Sequence, residues 1–163
     1  MSETHILIAM VNDKPGVMQR VSGLFRKRNF NIDSITVGRS EKPGVSRITL
    51  TVTGDHLVLE QVMKQLNKVV DVLRVVELDK GDSVMRELAL VKIRTKNETT
   101  RTEVVSYANI FRGRIVDVSK NSVIVEITGD SSKIEAFVSL VSSFGVRELA
   151  RTGVTAMSRG AEK

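Results

Sequence analysis

Thr-Gly-Asp occurs twice in this chain, at 53–55 and at 128–130, an offset of 75 residues. Each copy closes an alternating strand-like run and opens a helix-like one, and the elements around each copy follow the same order. In the first half, Ile6 to Val11 reads as a strand apolar on both faces. Val17, Val21, Leu24 and Phe25 then fall on one stripe at helical spacing. Ile32, Ile35 and Val37 mark a strand to about Gly38, and Lys42-Pro43-Gly44 is a turn. Ile48, Leu50 and Val52 alternate with Thr49, Thr51 and Thr53, as in a half-buried strand. Asp55 is placed to cap a helix, whose stripe is Leu59, Val62, Met63, Leu66 and Val70. Val72 to Leu78 is a last strand. The order is βαββαβ.

After the polar break Asp79-Lys80-Gly81-Asp82-Ser83 the order returns. Leu88–Ile93 is a strand, and Val104, Ala108 and Phe111 mark a helix. Ile115–Val118 and Val123–Ile127 are strands with Asn121 between them. Ile134, Phe137, Val138 and Val141 mark a helix, and the segment from Val146 to Met157 contains the last strand. The reading is α+β, two tandem ferredoxin-like βαββαβ units. The first spans residues 1–79, a linker spans 80–85, and the second unit spans 86–163.

A unit of about 80 residues buries little more than about 60% of its unfolded surface. The first and last strands of the first unit are apolar on both faces, and two helices cover only one face. Such a surface invites pairing, so a homodimer is expected.

The net charge is +6. That charge on this fold raises a nucleic-acid-binding alternative. The densest cluster, Arg26-Lys27-Arg28, closes the first helix, where cations complement the dipole. The aromatics Phe25, Phe30, Tyr107, Phe111, Phe137 and Phe144 fall mostly on helices, not on strands where bases would stack. No nucleic-acid partner is expected. Cysteine is absent, which excludes disulfides and thiolate chemistry. Met1 to His5 has no basic segment and Ile6 to Val11 is too short to span a bilayer, so a cytoplasmic location and no membrane partner are expected.

Catalytic groups are hard to find. His5 and His56 have no Cys or His at metal-ligand spacing, so no metal site is expected. No Ser/His/Asp arrangement, phosphate loop or GxGxxG motif is present. Asp55 and Asp130 read as helix caps rather than paired acids.

One segment does offer chemistry. In Val11-Asn12-Asp13-Lys14-Pro15-Gly16-Val17, Pro15 is pre-set for a first helical position and Gly16 permits close approach to the backbone. The N–H groups of Gly16, Val17 and Met18 at a helix start would hold a carboxylate or phosphate. Nearby, Asn29 reads as a helix C-cap and Asn31 as a turn residue.

Val11 to Val17 resembles the ligand loop of ACT domains. Lys14 to Phe25, Asn29 to Gly38, Ser46-Arg47, Leu59 to Leu66, Val69 to Val75, Ile110 to Val118 and Ala150 to Val154 are similar to the small regulatory subunits of acetolactate (acetohydroxyacid) synthase. The resemblance covers nearly the whole chain. It implies an ACT domain in the first unit and a regulatory chain without catalysis of its own. It implies activation of a large subunit that carries thiamine diphosphate, a divalent metal (Mg) and FAD. It further implies dimerisation through the ACT units, with valine bound at their junction as a feedback inhibitor of branched-chain amino-acid synthesis. The effector site would then comprise Asp13, Pro15, Gly16, Val17 and Met18 of one chain with Asn31 and Ile32 of its partner. Val17 and Met18 would line the apolar pocket. Many family members carry Asn where this chain has Asp13. An amide donates and accepts, whereas a carboxylate only accepts, so Asp13 favours an effector's ammonium and repels its carboxylate. Arg112, Arg114, Arg151 and Arg159 stand open between contact with the catalytic partner and plain surface.

Overall fold

The computed structural model describes residues 3–28 and 30–160; Asn29 lies outside them. The first six elements are β1 (Glu3–Asn12), α1 (Val17–Arg28), β2 (Ile32–Arg39), β3 (Val45–Gly54), α2 (His56–Asn67) and β4 (Val72–Leu78). The rest are β5 (Ser83–Arg94), α3 (Glu98–Ile110), β6 (Arg114–Val118), β7 (Ser122–Gly129), α4 (Ser131–Val141), β8 (Val146–Arg151) and β9 (Thr155–Ser158). The order βαββαβ therefore occurs twice. The first sheet has the strand order β2-β3-β1-β4 and the second β6-β7-β5-β8, with β9 paired to β5. All pairings along the two paths are antiparallel.

The two-residue period of the strands sorts the first unit's side chains by face. Leu7, Ala9 and Val11 of β1 share a face with Leu50 and Ile48 of β3 and Val75 and Val72 of β4. These pack with Val17, Val21 and Phe25 of α1 and Leu59, Val62 and Leu66 of α2 into one core. Ile6 and Ile8 point to the other face, level with Thr51 and Thr49, and are also buried. In the second unit Ala89, Val91 and Ile93 join Val123, Val125 and Ile127 under Val104 and Ala108 of α3 and Ile134, Phe137 and Val141 of α4.

The repeated Thr-Gly-Asp has one physical cause in both units. Asp55 accepts from the Val58 N–H at 2.9 Å and Asp130 from the Lys133 N–H at 2.8 Å, satisfying orphan donors of the first helical turn. The preceding glycine lies against the side chain four residues on. A Cβ at Gly54 would come within 2.7 Å of Val58 Cγ1, and one at Gly129 within 2.4 Å of Lys133 Cδ.

Two expectations are corrected. The segment 146–157 holds two strands, β8 and β9, separated by Thr152, Gly153 and Val154. And the chain does not divide at 80–85 into consecutive units. The compact units are formed by the described residues of Met1–Val84 with Val154–Lys163, and by Met85–Gly153. Val154 and Ala156 are buried, the Val154 N–H donates to Ser34 Oγ at 3.2 Å, and Arg47 Nη2 donates to the Ala156 carbonyl at 2.9 Å. Ser34 and Arg47 lie on the face of the first sheet that the helices leave open. That face is thus partly covered by the chain's own late residues. The expected linker is also short, because residues 79–82 make the turn and Ser83 already begins β5.

In the second unit, Arg151 of β8 donates to Glu87 at 2.8 Å and also binds Glu135, while Ser131 binds the other Glu87 oxygen. The hydrogen bonds that Arg151 donates to Glu135 and then to Glu87 raise its pKa above the ordinary value. Of the four arginines left open by the sequence, Arg151 is therefore committed within its own unit. Arg112 closes α3 at φ 55°, left-handed backbone that a non-glycine residue seldom adopts.

Candidate functional site

The segment between β1 and α1 is shaped by its backbone. The Asp13 N–H donates to the Gly44 carbonyl at 2.9 Å and the Lys14 N–H to Asn12 at 3.0 Å. Pro15 lies before the helix instead of opening it, since α1 begins at Val17. Gly16 has φ 86°, so glycine is required by conformation there. A Cβ on it would meet nothing within 4 Å.

Three free amides are expected, at Gly16, Val17 and Met18. The structure differs at two residues, Val17 and Gln19. The Val17 N–H donates to the Lys14 carbonyl at 3.4 Å. Among the described residues no acceptor takes the N–H of Gly16, Met18 or Gln19, and the first regular helical bond runs from Arg20 to Gly16 at 3.1 Å. Gln19 is thus an amide that the sequence reading missed. The cause is that α1 starts two residues after Pro15, which shifts the orphan donors along the chain. Val17's side chain is 3% exposed and belongs to the core. Met18 and Ile32 are partly buried and pack on that core.

The electrostatics are mixed. Asp13 lies 3.6 Å from Arg39 of β2, with both groups largely in solvent. Such an exposed pair contributes between zero and about 1 kcal/mol, yet it offsets the negative charge at the loop. On the inner side, Asp71 is buried; it binds Arg20 and accepts from Asn12 Nδ2 at 3.4 Å. Arg20 and Asp71 carried no sequence signal, because they meet the loop only through the fold. Asn31 is exposed and its Nδ2 donates to Asp33 at 3.4 Å.

The register separates the two halves of the expected site. Asn12, before the loop, pairs with Val45, and Arg39, at the end of β2, pairs with the adjacent Ser46. Ile32, at the start of β2, pairs with Val52, itself level with His5 at the far end of β1. The loop therefore lies by the end of β2, whereas Asn31 and Ile32 lie at its beginning. Ile32 and Arg39 are the two ends of the 8-residue β2, a span of about 20 Å. Within one chain Asp13 to Met18 are brought together, and Asn31 and Ile32 are not brought to them. β2 is also an edge strand, with Ile35 37% and Val37 43% exposed.

Residues 7–74 match a family model described as the AHAS small subunit-like ACT domain, and residues 86–160 one described as the small subunit of acetolactate synthase. The chain is 57% identical over 158 residues to the probable acetolactate synthase small subunit of Methanothermobacter thermautotrophicus, covering 97% of this chain and 94% of that one. It is 47% identical over 160 residues to the acetolactate synthase small subunit of Bacillus subtilis, covering 97% and 92%. The crystal structure of the acetolactate synthase small subunit from Thermotoga maritima superposes with a TM-score of 0.92 at 45% identity, covering 98% of this chain and 99% of that one.

Proposed function

Since the chain belongs to the family of acetolactate synthase small subunits, we propose that it activates the catalytic large subunit of that enzyme and confers feedback inhibition by valine. It works as a homodimer joined along β2. The observation that carries this reading is the separation of the loop from Asn31 and Ile32 along β2. Two copies of β2 paired antiparallel about a two-fold axis bring the start of one strand to the end of the other. Each loop then faces the partner's Asn31 and Ile32. The exposed Ile35 and Val37 on the free edge support pairing there.

In such a site the N–H groups of Gly16, Met18 and Gln19 hold the effector's carboxylate at the helix start. Asp13 and Asn31 receive its ammonium, and Arg39 offsets the charge of Asp13. Met18 and Ile32 contact the branched side chain. Valine bound across the junction favours one arrangement of the dimer by its differential affinity for the two, and no more than that. Thiamine diphosphate, Mg and FAD belong to the large subunit, where the chemistry occurs. The location is cytoplasmic; no described helix is long and apolar enough to cross a membrane.

The test is an assay of the cognate large subunit with and without this chain across a valine titration, for wild type and Asn31→Ala. Activation by both, with inhibition by valine lost only in Asn31→Ala, supports the proposal. Absence of activation by the wild type removes it.

A further inference from the structure

We propose that Asp71 is the positioning residue of the effector loop, an inference that rests on the reading of that loop given above. Asp71 stands just before β4, far from the loop in sequence, and its side chain is 9% exposed. Three bonds converge on it. Its carbonyl accepts from the Asn12 N–H at 2.9 Å, one carboxylate oxygen accepts from Asn12 Nδ2 at 3.4 Å, and the other binds Arg20 Nη1. Asn12 is the last residue of β1, immediately before the loop. Arg20 is in the first turn of α1, immediately after the free amides. One buried carboxylate therefore ties both ends of the segment 13–19.

The loop's other backbone ties are few. Asp13 is bonded to Gly44, and the remaining bonds lie either within the turn, Lys14 to Asn12 and Val17 to Lys14, or within the helix start, Arg20 to Gly16. None of these fixes the spacing between the end of β1 and the start of α1. Asp71 does, because it grips both. Removing a carboxylate from water is costly unless it is paired and hydrogen-bonded. Here its partners are the two ends of a loop with unpaired donors, so the burial fixes a geometry. The pairing also holds Arg20, whose side chain is 58% exposed, within one turn of the Gly16, Met18 and Gln19 amides.

The experiment uses the full-length chain as wild type, Asp71→Ala, Asp71→Asn and, as a remote control, Glu60→Gln. Amide hydrogen exchange of residues 13–19 is followed without ligand, and valine affinity is measured by calorimetry. Circular dichroism and activation of the large subunit without valine check the fold. The expected result for Asp71→Ala is faster exchange confined to the loop and at least tenfold weaker valine binding, with activation retained. Asp71→Asn, whose amide oxygen still accepts from Arg20, lies between Ala and wild type, and Glu60→Gln matches wild type. If Asp71→Ala does not fold, the same comparison is made with Asp71→Asn. Wild-type affinity and wild-type loop exchange in a folded Asp71 variant overturn the inference alone. A wild type that binds no branched-chain amino acid overturns the effector reading and this inference with it.

Discussion

Gly16 holds φ 86°, and a side chain in left-handed backbone costs roughly 1–2 kcal/mol. Gly16→Ala is expected to lose about that much stability by denaturant titration, and to lose valine binding by calorimetry because the free amides move with the turn. The two Thr-Gly-Asp glycines separate by what they touch. A Cβ at Gly54 strikes Val58 at Cγ1 and Cβ, which cannot swing away, whereas at Gly129 the nearest atom is the flexible Lys133 Cδ. Overpacking of this kind costs about 1–3 kcal/mol; Gly54→Ala is expected at the upper part of that range and Gly129→Ala at the lower. Equal losses in paired denaturation curves would contradict the packing argument. The Asp130 carboxyl lies below its ordinary 3.8, first through the Ser132 hydroxyl and then through the Lys133 amide. A depressed folded pKa means that the stabilisation is present above the unfolded value and is lost as pH falls through the folded one. The stability gap between wild type and Asp130→Asn should therefore close below about pH 4, read from thermal melts across pH 2–7. Both caps and both glycines were legible in the sequence, because a cap is a local device. The reason glycine is required was not, since Val58 and Lys133 approach only in three dimensions.

At the level of elements, periodicity located nearly every helix and strand, including Val72–Leu78 at its observed ends. It failed on β9. Four residues, Thr155–Ser158, with one buried alanine, carry no period, and nothing in them shows that they return to the first unit. The edge strand β2 gives this scale its prediction. Val37 is 43% exposed on a row of unpaired backbone groups, the place where a charge blocks strand addition. If the proposed dimer is joined along β2, Val37→Lys is expected to sediment as a monomer where wild type sediments as a dimer, with the far-ultraviolet circular dichroism unchanged. A variant that stays dimeric places the junction elsewhere than β2.

For the whole molecule, the six-element repeat and the loop were readable from one sequence because each is encoded in contiguous residues. The inner support of the site was not. Asp71 and Arg20 are 51 residues apart and meet only when β1, α1 and the approach to β4 are assembled. The register adds what no linear reading could, that the loop and Asn31 stand about 20 Å apart along one β2. The proposal that a single effector site is made from two chains rests on that distance, and mixed dimers test it most directly. Gly16→Asp and Asn31→Ala chains, carrying different tags, are co-expressed and the mixed dimer is isolated through both tags. Each variant alone should bind no valine in calorimetry. In the mixed dimer one of the two sites at the junction combines both defects and the other is intact, so it should bind one valine per dimer with wild-type affinity. A mixed dimer as inactive as its parents would contradict a site shared between two chains.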